Sequence, residues 1–470
     1  MKKVLFLAIA SLVLVNVNAH QYDMFDINGK HRGSIDGGLD KSALEEFAKK
    51  NQGSVLVKRN IAKKIYANKK IGQAQKNLDI KRSSFENELW IEVEKNESVK
   101  ACFDSRVLAW ETSLNSKIYN DSCLVFQTPI FVGVETIDVY FNEVEDSYKI
   151  NLSVGMKYLE MKKEKVLLGY EEKKYDSRNK WVNVLYNKQE RNEDPERIVS
   201  VSGTYLVDKY PVTNCEITQL LWDSIPMNPS FKNKTRSKLA EKWLLRKRWN
   251  TRGENCVTQD SAANTVFLLQ AMEYANARSI REGLKPYYIF SAINANEEKI
   301  LSKGQYVIGY LDFSMHKEKF IQVSVNDSSD GYRLPYYNEW MMFARGGDLK
   351  NKALWGDSSV AFEEVSKYAR FATGKNYFES EPVGQLQPNG YGLYDIFGLV
   401  WEHVIFEEKN PFVALQNHPA CLKGGNNRVV SDYKVGKFYS EPYWKQLNYG
   451  YSKANLGGMM AGFRLVRKIK

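Results

Sequence analysis

The stretch Pro388–Val404, PNGYGLYDIFGLVWEHV, constrains this chain more than any other. Pro388, Asn389, Gly390 and Gly392 are turn residues, and Gly398 marks a second turn. Glycines at 392 and 398 suit a main chain that needs positive φ or close approach. Beyond each turn stands an acid, Asp395 and then Glu402. The pattern predicts a tight path with both side chains aimed inward. Two carboxylates and freed main-chain carbonyls make a site for a hard cation, calcium above all. Spacing alone favours the plainer reading, two acids solvated on a loop.

Four further blocks stand in a fixed order around it: YLVDKYPVTNCEI (Tyr205–Ile217), GYRLPYYNEWMMFARGG (Gly331–Gly347), LKGGNN (Leu422–Asn427) and AGFRLVRK (Ala461–Lys468). With PNGYGLYDIFGLVWEH they resemble, block by block and in order, the formylglycine-generating enzyme (sulfatase-modifying factor) family. The resemblance covers roughly the last 270 residues, a sensible size for one domain. It implies an α+β fold, a loop-rich domain of the C-type-lectin-like kind over residues 196–470. Residues 20–195 carry no block of that family, and their alternation reads as a smaller β-rich region. Carried over from the family, the calcium ligands are Asp395, Gly398, Val400 and Glu402. The family's next asparagine is Leu399 here, and the second tryptophan of its WEW is His403. A second family calcium site begins at an asparagine where this chain has Arg370, with Lys375 near the usual acid. A cation there repels the metal, so that site is expected to be lost.

The catalytic cysteines decide the activity. The family's oxidases carry a thiol pair four and nine residues past the second glycine of the GG motif, and a pair of thiolates suits Cu(I). Those positions are Val429 and Lys434, and no cysteine lies between Gly425 and Gly462. No copper is expected, and neither is formylglycine-generating activity. A related branch of sulfoxide-forming enzymes uses histidine-bound iron, but the five histidines (20, 31, 316, 403 and 418) are not in HxxxH spacing. The late segment is aromatic instead. Tyr433, Tyr439, Tyr443, Trp444 and Tyr449, interspersed with Lys434, Lys437, Lys445 and Lys453, suit a binding face on an irregular loop. Equally, half of those rings belong to the core of a loop-rich domain. The leading expectation is an exported, non-catalytic binding or assembly protein whose partner is a protein or a glycan. The alternative is a sulfatase-modifying or non-haem-metal oxidoreductase working through other residues.

Export is read from Met1–Ala19, where two lysines, an apolar run and a small-residue cleavage site form a secretory signal. The run is too short to span a bilayer, and nothing after it reads as a membrane span. The expected location is periplasmic or secreted. The chain has 470 residues with 67 Lys+Arg against 56 Asp+Glu, net +11. That balance permits contact with anionic surfaces without specifying one, and no motif points to nucleic acid. The basic run Lys232–Arg248 reads first as a solvated helix face.

Five cysteines are an odd number. Export permits disulfides, with Cys102–Cys123 the most natural pair, Cys215–Cys256 the second, and Cys421 left free. Thr213 and Glu216 form a capping box for a helix over Asn214–Trp222. Its first turn would also lower the pKa of a free thiol at Cys215. His20, exposed by cleavage, could chelate copper only with a second histidine nearby. In the amino-terminal region Asn28–Gly29 predicts a hairpin and Leu39–Lys50 a helix. Alternation then predicts strands at Leu89–Val93, Cys123–Phe126, Ile130–Tyr140, Ile150–Val154, Val166–Tyr170 and Trp181–Tyr186, in a small sandwich or barrel. The polar run Lys188–Arg197 is the expected linker.

Overall fold

A computed structural model describes residues 21–36, 54–58, 76–81, 88–141, 147–163, 165–168, 197–217, 220, 261–263, 266, 268–293, 305–312, 317–347, 366–370, 381–405, 420–423, 440–441 and 461–469. It is strand-rich with few helices. The expected helix at 39–50, the strand at 181–186 and nearly all of the linker lie outside the described residues.

The amino-terminal sheets pack on buried Val, Ile, Leu and Phe side chains. One four-stranded sheet is ordered Glu88–Val93, Ser147–Val154, Gly133–Tyr140, Ala109–Thr112. The other is ordered Lys76–Ile80, Ser98–Phe103, Cys123–Gln127, Asn115–Asn120. Val99, Ala101, Leu124 and Phe126 from one sheet and Ile137, Val139, Ile150 and Leu152 from the other share a single core. Of the sandwich or barrel expected, these residues form two sheets over a shared core; the strand expected from Ile130 starts only at Gly133, leaving Ile130 exposed, and Val166–Leu168 pairs with Arg197–Val199 outside both sheets. Four strands of these two sheets were missed, at 76–80, 98–103, 109–112 and 115–120; 98–103 and 115–120 bury the polar Ser98 and Ser116. A separate hairpin, Gln21–Asp26 with His31–Asp36, turns at Gly29, whose φ is 82°.

The strand Met156–Met161 pairs along its whole length with Gly203–Asp208, which pairs in turn with Val466–Lys468. The β-rich stretch and the carboxy-terminal stretch are therefore joined through one sheet. Three helices are described: α1 (Asn214–Ile217), α2 (Leu268–Arg281) and α3 (Tyr337–Arg345). The capping box at α1 is present, with Thr213 N–H donating to Glu216 at 3.0 Å and Glu216 N–H to Thr213 Oγ1 at 3.3 Å. Helix α2 is buried on nearly every face, and the chain leaves it through Gly283 at φ 72°. Helix α3 ends at Gly346 in the left-handed region, where glycine carries no Cβ penalty.

Two cores meet around these helices. One gathers Leu206, Met272, Tyr274, Tyr288, Tyr332, Phe463 and Leu465, and the other Val207, Trp340, Phe343, Leu393, Phe397 and Val404. Buried ion pairs tie distant segments across them. Arg278, fully buried, donates to Asp208 at 2.7 Å and lies 4.0 Å over the Tyr332 ring. Arg333 grips Glu339 with two bonds of 2.6 and 2.7 Å. Burial pushes the Glu339 carboxyl up, and this guanidinium more than offsets it, holding the group below its ordinary value.

Candidate functional site

The 381–405 segment is a loop followed by the strand Trp401–Ile405. Asn389 shapes its entry. Its amide donates to Phe343 O at 2.7 Å, closing the end of α3, while its Oδ1 accepts from Tyr391 and Leu393 N–H at 3.0 and 3.1 Å. Gly392 and Gly398 both have φ of 74°, as the turn reading requires. A Cβ at Gly398 would sit 2.2 Å from Arg370 O, so no larger residue fits without moving the main chain. Less expected are Asp395 and Leu399, at φ 52° and 59°. These are conformations that L-residues adopt only when their surroundings over-determine them.

Asp395 and Glu402 both point inward, with exposures of 5% and 0%. The solvated-acid reading therefore does not describe them. Asp395 Oδ2 accepts the Gly384 N–H at 2.6 Å. Burial, helped by nearby Glu402, pushes its carboxyl up to about 6 against the opposing pull of Gly384, Arg464 and Arg370. Glu402 is held differently. Arg464 binds both of its oxygens at 2.7–2.9 Å, and Trp340 Nε1 donates to Oε2 at 2.7 Å. Arg464 also reaches the carbonyls of Asp208 and Tyr394, at 3.1 and 2.8 Å. One guanidinium thus pins three chain segments to one carboxylate. The sequence reading did not single out Arg464. The available signal was a lone arginine between Phe463 and Leu465, since arginine inside an apolar run needs a buried partner.

The donors Asp395, Gly398 O and Val400 O are oxygens and suit a hard cation. Glu402 fits less well, because its lone-pair positions are taken by Arg464 and Trp340. Three carboxylates (Asp395, Glu402, Glu381) face two guanidiniums (Arg464, Arg370), and Arg370 pairs with Glu381 at 2.9 Å. Among the described residues no three His, Cys, Asp or Glu side chains converge.

His403, the residue in the family tryptophan's place, is fully buried, with Nε2 2.7 Å from Val266 O. Burial holds its ring down at about 4, so it is neutral near pH 7. Cys102 and Cys123, directly opposite one another on adjacent strands, form a disulfide. Cys215 is disulfide-bonded too, and its expected partner Cys256 lies outside the described residues. Tyr433, Tyr439, Tyr443, Trp444 and Tyr449, with Val429, Lys434 and Lys375, also lie outside them. Among the described residues no helix is long and apolar enough to cross a membrane.

The chain is 28% identical over 158 residues to "Chaperone protein LppX" of Paenibacillus barcinonensis, covering 31% of this chain and 51% of that one. It is 34% identical over 120 residues to the formylglycine-generating enzyme of Mus musculus, covering 22% and 32% respectively. The chain thus spans about half the length of the first relative and about a third of the second. Among solved structures it is similar to Treponema denticola variable protein 1, with a TM-score of 0.41 and 20% identity, over 67% of this chain and 95% of that one. Residues 177–469, more than half of the chain, match the sulfatase-modifying factor enzyme 1-like domain (FGE-sulfatase), and the chain belongs to that family.

Proposed function

We propose that this chain is an exported binding or assembly protein that uses the family's scaffold without its oxidase chemistry. The observation that carries the reading is the absence of any cysteine between Gly425 and Gly462, with Val429 and Lys434 where a copper-binding thiol pair would stand. Valine offers no donor, and a protonated lysine is a poor ligand. Cys102, Cys123 and Cys215 are committed to disulfides and supply no substitute thiolate. The partner is a protein or a glycan taken by the aromatic late segment, and a relative named a chaperone protein is in keeping with that role. In this reading calcium is structural, held by Asp395 and the carbonyls of Gly398 and Val400, with Glu402 behind them already neutralised by Arg464.

Metal analysis of the purified mature protein, paired with a cysteine-peptide oxidation assay in the presence of Cu(I), tests this. Calcium alone and no turnover is the expected result. Stoichiometric copper or iron, or any oxidised peptide, would overturn the reading. Amino-terminal sequencing of exported material should begin at His20, and an intact Met1 there would refute cleavage.

A further inference from the structure

The amino-terminal sheets reach the acidic loop through charge. As the strand Glu88–Val93 ends, it presents Glu92 and then Glu94 toward the carboxy-terminal stretch. Glu92 accepts from Lys157 Nζ and from the Tyr158 N–H at 2.9 Å. Glu94 accepts from Lys209 Nζ. Both lysines continue into the loop. A Cβ at Gly392 would lie 3.0 Å from Lys157 Cε, so that side chain rests on the turn. Lys209 O accepts the Tyr394 N–H at 2.9 Å, one residue before Asp395. The Lys209 ammonium lies 5.2 and 5.4 Å from the ring centres of Tyr394 and Tyr210, which are 5.1 Å from each other. Tyr210 in turn closes over Gly384, where a Cβ would meet its ring at 2.6 Å, and Gly384 N–H is the donor to Asp395.

Two routes therefore run from Glu92 and Glu94 to the two flanks of residues 384–395. We infer that the amino-terminal sheets act as the holder of this acidic loop, with Glu92 and Glu94 as positioning residues that work through Lys157 and Lys209. The loop needs such a holder. Asp395 sits at φ 52° with its carboxyl buried, and both features are unfavourable unless neighbours fix them. Burial depresses the Lys209 ammonium, and Glu94 with Tyr210 more than restores it, so the link stays charged. The four side chains are 18–47% exposed, which makes the links modest rather than dominant.

This inference goes beyond the functional proposal and holds with or without a cation at Asp395, so it is tested with divalent ions chelated. Hydrogen exchange is followed by mass spectrometry in the full mature chain and in the Glu92→Gln/Glu94→Gln variant. Peptides covering 384–400 should exchange on the order of fivefold faster in the variant, with the strand Ser147–Val154 unchanged. Arg106→Gln, which removes a charge from the exposed Arg106–Asp121 pair, should leave 384–400 as in the parent. Unchanged exchange in the double variant, or equal acceleration by Arg106→Gln, would overturn the inference. Should the double variant loosen the sheets throughout, Glu94→Gln alone gives the same reading, since that side chain is 47% exposed and its loss leaves the sheet core intact.

Discussion

Replacing Arg464 by methionine tests the central claim about the acidic loop, that one guanidinium carries the charge balance of Glu402. Both side chains are 0% exposed, and the pair is bonded at both carboxylate oxygens. In the Arg464→Met variant Glu402 keeps only Trp340 Nε1 as a described partner, so a charge is left buried and uncompensated. Breaking a buried pair from one side costs about 3–5 kcal/mol. The variant has one escape, proton uptake. For an ordinary glutamate this costs roughly 3.7 kcal/mol at pH 7 and roughly 1 kcal/mol at pH 5, at 1.36 kcal/mol per unit. The expected loss is therefore about 3–4 kcal/mol at pH 7, shrinking by roughly 2–3 kcal/mol at pH 5. The sign follows from linkage. A carboxyl whose folded pKa is raised favours the folded state below its unfolded value, and that stability is lost as pH rises. Urea unfolding at the two pH values, read by linear extrapolation, measures it. Adding Glu402→Gln to Arg464→Met should recover part of the loss at pH 7, because the neutral amide needs no counter-charge. A loss below about 1 kcal/mol at pH 7, or one indifferent to pH, would refute the reasoning.

Asp395, raised to about 6 from 3.8, contributes stability that is complete below about 3.8 and lost as pH climbs through 6. In chelator at pH 7, Asp395→Asn should accordingly stabilise the protein by about 1–3 kcal/mol, and millimolar calcium should raise the thermal midpoint of the parent but not of the variant. Destabilisation by Asp395→Asn in chelator would contradict the assignment. His403, depressed to about 4, contributes stability present above about 6.5 and lost as pH falls through 4. His403→Gln should flatten the acid limb of the unfolding curve, and an unchanged limb would place the acid sensitivity elsewhere. Replacing both Cys102 and Cys123 by serine opens a loop with a sequence separation of 21 and should cost about 3 kcal/mol in chemical denaturation. A cost near zero would mean that the sheet holds this pair together without the bond.

What the sequence conveyed well was local. Gly392, Gly398 and the Thr213–Glu216 capping box each belong to a motif a few residues long, whose physics needs no distant partner. The sequence reading found strands rich in apolar residues, such as Cys123–Gln127, which is buried at four successive positions. It missed Asn115–Asn120, where only Ser116 is buried. It also missed the hand-over at Met156, where the β-rich stretch becomes part of the carboxy-terminal sheet. The site was half visible. Both acids were found, but Arg464 lies 62 residues from Glu402, and Glu94 is 115 from Lys209. No periodicity encodes such pairings. His403 and Leu399, which stand where the family has tryptophan and asparagine, do not leave the loop unsupported. Instead His403 bonds a buried carbonyl, and Leu399 fills a small apolar cluster beside Val400 and Ala262.

The positions of the buried ion pairs explain how this scaffold can persist without copper thiols. Asp208–Arg278, Arg333–Glu339 and Glu402–Arg464 fix the paths of the central sheet, of helices α2 and α3 and of the acidic loop. All six residues lie outside the segment from Gly425 to Gly462. On the reading proposed above a cysteine pair would stand within that segment, and valine and lysine in its place change none of these six residues. The same logic applies to the metal. On the calcium reading proposed above, with Arg464 already neutralising Glu402 the loop would call on the ion only through Asp395, and its demand for a cation should be smaller than that of a loop with two unpaired acids. Calcium titrated against Arg464→Met should therefore bind more tightly than to the parent, because the freed carboxylate becomes a ligand. Equal affinity in the two would mean that Glu402 never faces the ion.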